Sequence, residues 1–271
     1  MTVSAHEVSV VKQGRTILDR VSMVANAGEV TGLIGPNGAG KSTLLAALSG
    51  DTPVASGRVD VAGHDAAAST AKELARTRAV MLQDSNVAFS FLVRDVVEMG
   101  RHPWGPSPDD AAIVDAALRA TGMTRLQERE MLTLSGGERA RAAFARVLAQ
   151  QTPVVFLDEP TAAMDVRFQE QTMGMVRGLA GQGVTVIVVL HDLQLAARYC
   201  DRVVCLKDGA VMAAGTVDEV YDAHVLSAVY DWPISVLRSG DGLFVSPEKS
   251  AGAPLAGPGF SGFASRLHRL V

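Results

Sequence analysis

The chain of 271 residues contains only two cysteines, Cys200 and Cys205, and no phenylalanine, tyrosine or tryptophan before Phe89. Two thiols cannot build a disulfide framework and their spacing matches no metal pattern, so both read as small buried thiols of a reducing compartment. Long apolar runs are also missing. The most apolar stretch, Val184 to Leu190, is seven residues, against the roughly twenty that a membrane-spanning helix requires. Met1 to Val11 includes His6 and Glu7 but neither a basic leader nor an apolar core, which points to a cytoplasmic chain. Nor is positive charge in excess: 25 Lys+Arg against 29 Asp+Glu leave a formal charge of −4, which argues against a nucleic-acid partner. Hydrophobic residues at 48% and charged residues at 20% exclude disorder along most of the chain.

What is present is a series of short β-branched runs: Val8 to Val11, Val30 to Ile34, Val59 to Val61, Val80 to Leu82, Val154 to Leu157, Val184 to Leu190 and Val203 to Leu206. They predict strands, several apolar enough to be covered on both faces, and the helical patterns between them predict an α/β layered fold. Arg58 to Val61 alternates, as in a more exposed antiparallel part near the N-terminus. From Asp84 to about Gln150 the pattern is helical, with one face over Asp109 to Ala120 and another over Arg139 to Leu148. Pro103, Pro106 and Pro108 should end any helix formed by Val93 to Gly100. From Lys249 the composition turns to Gly, Pro, Ala and Ser, the signature of a flexible tail over 249–271.

Three motifs carry chemistry. Gly35-Pro36-Asn37-Gly38-Ala39-Gly40-Lys41-Ser42-Thr43 follows an apolar strand and opens a helical run through Leu44, Leu45 and Leu48. In that context the glycines let successive N–H groups turn toward a phosphate at a helix N-terminus. Lys41 then reaches the β- and γ-phosphates, Ser42 ligates Mg²⁺, and Thr43 adds a phosphate contact. Val154 to Pro160 delivers Asp158 and Glu159 at the end of a buried strand. Adjacent acids there are costly unless paired or metal-bound, so Asp158 is read as holding Mg²⁺ and Glu159 as polarising an attacking water. The third, Ser135-Gly136-Gly137-Glu138, begins with an N-cap serine, and its glycines allow a phosphate to approach the helix end.

Together these motifs resemble the nucleotide-binding subunit of an ABC transporter, over roughly Val8 to Gly215, with Walker A, signature and Walker B in the family order. The resemblance implies an α/β P-loop NTPase fold with a mixed β core, an N-terminal antiparallel β subdomain and an inserted α-helical subdomain at about 84–150. The ATPase domain would span 1–248. Gln83 matches the Q-loop glutamine, which in the family reaches Mg²⁺ and the water, His191 matches the switch histidine of the γ-phosphate, and Asp165 closes the D-loop. Also implied are ATP and Mg²⁺ as cofactors and a head-to-tail homodimer, in which the signature of one copy covers ATP held by the other. Two membrane permeases, and through them an extracytoplasmic binding protein, complete the expected partners, with the chain at the cytoplasmic face of the membrane.

Some positions depart from the family pattern. The aromatic residue that usually stacks on adenine is missing near Gln13, so Arg15 or apolar contacts must substitute; the D-loop has Ala162 and Met164 where a small polar residue and Leu are usual. Beyond Gln83, Phe89 to Trp104 resembles importer ATPases for heme, ferric siderophores and vitamin B12, and Gly100-Arg101-His102-Pro103-Trp104 with Leu45 to Asp51 leans toward heme. Phe89, Phe91 and Trp104 are candidate permease contacts. The other class, a soluble ABC ATPase of DNA repair or translation, is disfavoured: Lys41 and Ser135 stand 94 positions apart, too close for a long coiled coil, and only one cassette is present.

Overall fold

The computed structural model describes residues 2–82, 90–162, 164–240 and 242–249. It begins with a twisted antiparallel ribbon, β1 (Val3–Lys12) and β2 (Arg15–Ala25). Gln13 and Gly14, at φ 52° and 75°, supply the left-handed pair that a two-residue hairpin turn needs. β4 (Ser56–Val61) pairs with the other side of β1, and β5 (His64–Asp65) completes a four-stranded sheet in the order β2-β1-β4-β5. This is the antiparallel part that alternation in Arg58 to Val61 predicts.

The central sheet is six-stranded, in the order β10-β9-β3-β8-β7-β6. Its strands are β3 (Val30–Ile34), β6 (Arg78–Met81), β7 (Val154–Asp158), β8 (Thr185–Val189), β9 (Arg202–Lys207) and β10 (Ala210–Thr216). All neighbours run parallel except β10 against β9. Every residue of β3, β7 and β8 is buried, because both faces are covered. Alternate side chains of one strand therefore feed two cores. Ile187 and Val189 with Val154 and Phe156 join α1 (Lys41–Leu48) and the antiparallel sheet. Val186 and Val188 with Val155 and Leu157 pack with α5 (Gly136–Gln150), α6 (Val166–Gly181) and α7 (Leu193–Tyr199).

A third core lies among helices. α3 (Val93–Glu98) and α4 (Asp110–Ala120) contribute Val93, Val97, Val114 and Leu118, and α5 contributes Ala142, Ala145 and Ala149. α5 thus has two apolar faces, since its Phe144 and Val147 belong to the core under the sheet. The proline-rich segment differs in detail from expectation: α3 ends at Glu98, and a 3₁₀ turn over Met99–Trp104 continues it with Pro103 inside. α2 (Ala71–Thr77) precedes β6 and is held by a capping box between Thr70 and Glu73.

After β10 come α8 (Val217–Val220), α9 (Ala223–Tyr230) and a hairpin of β11 (Ile234–Ser239) and β12 (Gly242–Pro247). Both cysteines are buried, and burial pushes each thiol up to about 12. Among the described residues no helix is long and apolar enough to cross a membrane.

Candidate functional site

The segment between β3 and α1 wraps the N-terminus of α1. Gly35 has φ 144°, and a Cβ there would stand 2.0 Å from the Leu206 carbonyl oxygen, so the position admits glycine alone. Gly40, at φ 98°, caps α1 without a side chain, leaving the helix's first N–H groups facing the pocket. Lys41, 5% exposed, donates to the carbonyls of Gly35 at 2.8 Å and Pro36 at 2.9 Å. Burial lowers its pKa, and the charges of Glu159 and Asp158 oppose that shift.

Across the pocket, Asp158 is the last residue of β7 and is buried. Burial raises its pKa first of all; a hydrogen bond donated by Ser42 Oγ at 3.1 Å opposes this, and Glu159 adds to it. The sheet register pairs Asp158 with Val189, so the residues just beyond, Glu159 and His191, emerge side by side at the carboxyl edge. The Glu159 N–H donates to Val189 at 3.2 Å, and the Glu159 carboxylate meets His191 Nε2 in a hydrogen bond. Hard oxygen donors at Ser42 and Asp158 suit a divalent cation such as Mg²⁺.

An open pocket of about 550 Å³ is lined by Ile17, Asn37, Gly38, Gly40, Lys41, Ser42, Thr43, Glu159 and His191. Ile17 escaped sequence reading. It lies on β2, half-buried, whereas Arg15 two residues earlier is exposed and does not line the pocket. No alternation in the sequence marks it, because Ile17 stands beside the fully buried Leu18 in a strand of irregular register. Gln83 and Phe89 lie outside the described residues.

Ser135, Gly136, Gly137, Glu138 and Asp165 do not line this pocket. Ser135 caps α5 in a capping box: Glu138 N–H donates to its hydroxyl at 3.3 Å, and the Ser135 N–H donates back to the Glu138 carboxylate at 2.8 Å. Those bonds hold the Glu138 carboxyl below its ordinary range. Asp165 caps α6 by accepting from Phe168 N–H at 3.0 Å. Among the other candidates, Phe91 and Trp104 are partly exposed, and Trp104 Nε1 donates to the Gln150 carbonyl.

A glycine loop at a helix N-terminus, beside a buried carboxylate at the carboxyl ends of parallel strands, defines the P-loop nucleoside triphosphatase class. Comparison with known proteins narrows this. The sequence model of the ABC transporter family matches residues 18–162. Hemin import ATP-binding protein HmuV of Rhodococcus jostii (strain RHA1) is 48% identical over 88% of this chain and 82% of its own length. The protein of that name from Streptomyces coelicolor is also 48% identical, over 88% and 86%. Cobalamin import ATP-binding protein BtuD of Halobacterium salinarum is 43% identical over 87% of this chain and 60% of its own length. Among solved structures, a metal-chelate type ABC transporter in an inward-facing conformation matches with TM-score 0.78 at 24% identity, over 92% of this chain and 98% of that one, which speaks to fold. A dimeric post-hydrolysis ATP-binding cassette bound to ADP and Pi matches with TM-score 0.73 at 27% identity, over 79% and 98%. The chain belongs to the ABC transporter family, as its ATP-binding, ATP-hydrolysing cassette.

Proposed function

We propose that this chain powers heme import, acting as a head-to-tail homodimer on the cytoplasmic side of two membrane permeases that receive cargo from an extracytoplasmic binding protein. The observation that carries the dimer is the separation of motifs: the phosphate pocket holds Lys41, Glu159 and His191, while Ser135, Gly136, Gly137 and Asp165 stand outside it. A second copy brings its own Ser135 segment over the pocket, so that each nucleotide is closed in by both chains. ATP binding then draws the dimer shut, and hydrolysis with phosphate release opens it, a motion the permeases follow.

Within each site, Gly35 to Gly40 and the α1 N-terminus cradle the phosphates, and Lys41 exchanges its loop carbonyls for the β- and γ-phosphates. Ser42, Asp158 and Gln83 would hold Mg²⁺, which when bound neutralises phosphate charge. Glu159 orients and polarises the attacking water, and His191, bonded to it, contacts the γ-phosphate. Lys41, Thr43 and the partner's serine and glycine amides meet the charge that develops on the transferring group, where a single such donor contributes about 10²–10³ in rate. Ile17 supplies an apolar wall for the base where the family places an aromatic ring.

Heme as cargo is supported by the hemin importers among the relatives and by Gly100 to Trp104. The similarity to a cobalamin importer favours vitamin B12 as the second reading. The test is reconstitution with the cognate permeases and binding protein in vesicles. Hemin-loaded binding protein should raise ATP turnover several-fold. Stimulation by cobalamin or a ferric siderophore with none by hemin would overturn the cargo, and failure of the chain to assemble with any membrane permease would overturn the transport role.

A further inference from the structure

The segment after β10, which contains no motif of the nucleotide site, reaches back to the phosphate loop. The Gly35 N–H, buried at the start of that loop, donates to the Tyr230 hydroxyl at 2.9 Å, a contact between residues 195 positions apart. Tyr230 is the last residue of α9, and the end of that helix is fixed in turn. Lys207, at the end of β9, donates to the Ala228 carbonyl at 2.7 Å and to Asp231 at 2.6 Å, a cation placed at the negative end of the helix. Asp231 stops the helix in left-handed backbone at φ 52°.

The far end of the loop is braced from the same side. Gly209, in the turn after Lys207, donates its N–H to the Ala39 carbonyl at 3.2 Å, while its own carbonyl accepts from Asp19 at 3.0 Å. So Gly35 and Ala39, which bracket most of the phosphate loop, are both held by the 207–231 region. At Gly35 the hold is unusually specific. Leu206 leaves no room on one side, Tyr230 takes the N–H, and the Gly35 carbonyl accepts from Lys41. One residue thus links the tyrosine to the lysine of the site. Burial keeps the Tyr230 phenol well above its ordinary range, so the hydroxyl stays neutral and available at any working pH.

We propose that Tyr230 is a positioning residue of the phosphate site: its hydroxyl fixes the Gly35 peptide, and through it the loop and Lys41, in the geometry that receives the β-phosphate. This rests on the phosphate-loop reading of 35–43. A loop held in advance loses less conformational freedom when nucleotide binds, so the contribution falls on affinity more than on the rate once nucleotide is bound.

The test is Tyr230→Phe in the full chain, with Tyr221→Phe as comparator. Tyr221 is buried where Tyr230 is half-buried, and its hydroxyl donates at 2.8 Å to the Leu193 carbonyl of α7, away from the loop. Tyr230→Phe should weaken both ATP and ADP binding about five- to tenfold and raise KM for ATP similarly, with kcat within twofold. Amide hydrogen exchange in the peptide carrying Gly35 should speed up by a similar factor. Tyr221→Phe should leave nucleotide affinity and that exchange unchanged. Equal loss of affinity in both variants would mark general softening and overturn the proposal, as would wild-type affinity in Tyr230→Phe. Should Tyr230→Phe prove too unstable to assay for binding, exchange at Gly35 in the folded fraction decides, and a wild-type rate overturns the proposal. Lys41→Ala separates the two readings: if it still binds ATP normally, the phosphate-loop reading itself fails, whereas its loss of binding beside an unaffected Tyr230→Phe sinks only the role of Tyr230.

Discussion

Glu159 occupies left-handed backbone at φ 51°, a conformation that costs a residue with a Cβ about 1–2 kcal/mol. It is held there by its own N–H on Val189 and by the Ala162 N–H, which donates to the Glu159 carbonyl at 3.1 Å. The left-handed backbone turns the chain sharply after Asp158, so that two successive acids meet separate partners, one beside Ser42 and one beside His191. Glu159→Gln keeps the shape and removes the base. It should bind ATP as tightly as the parent and dimerise, while steady-state turnover falls at least about 100-fold, the usual weight of a general base. Phosphate release at the parental rate would refute the role. Both acids were legible from their position after an apolar strand, but the bond from Glu159 to His191 was not, because it depends on the register of β7 against β8.

Among the elements, α5 does most to connect the parts, since Phe144 and Val147 pack under the sheet while Ala142, Ala145 and Ala149 pack on α3 and α4. Its periodicity made one face plain in the sequence; the second face consists of alanines, which any helix can carry and which therefore signal nothing until a partner helix is seen. Phe144→Ala empties a fully buried site and should destabilise the protein by about 3–5 kcal/mol, measured by urea unfolding. A loss below 1 kcal/mol would mean that the two packing units do not share this helix as a rigid member. Strands β2 and β10 and the β11–β12 hairpin were not legible. β10, Ala210–Thr216, is built from small residues with little strand preference, and it is a strand because β9 offers it an edge to pair with. β2 reads as an interrupted pattern because irregularities in its pairing with β1, near Glu7 and Arg20 at φ 48° and 46°, break the strict alternation.

For the whole molecule the decisive feature is that the signature serine and the phosphate pocket of one chain do not meet. If two copies complete each site, the isolated chain should show specific ATPase activity that rises with protein concentration and levels off once the dimer is saturated. Specific activity that stays constant over a hundredfold dilution would show that one chain suffices.

The sequence by itself determined the chemistry of the phosphate loop, because strand, glycine turn, lysine and helix follow one another directly from Val30 to Leu48 and their geometry is local. It also determined the order of the motifs, which names the family. Only the tertiary structure decided which residues face them: Ile17 from β2, His191 against Glu159, and Tyr230 on Gly35. Each of those contacts joins segments far apart in the chain, and their meeting is set by strand register and helix packing, which no single stretch of sequence encodes.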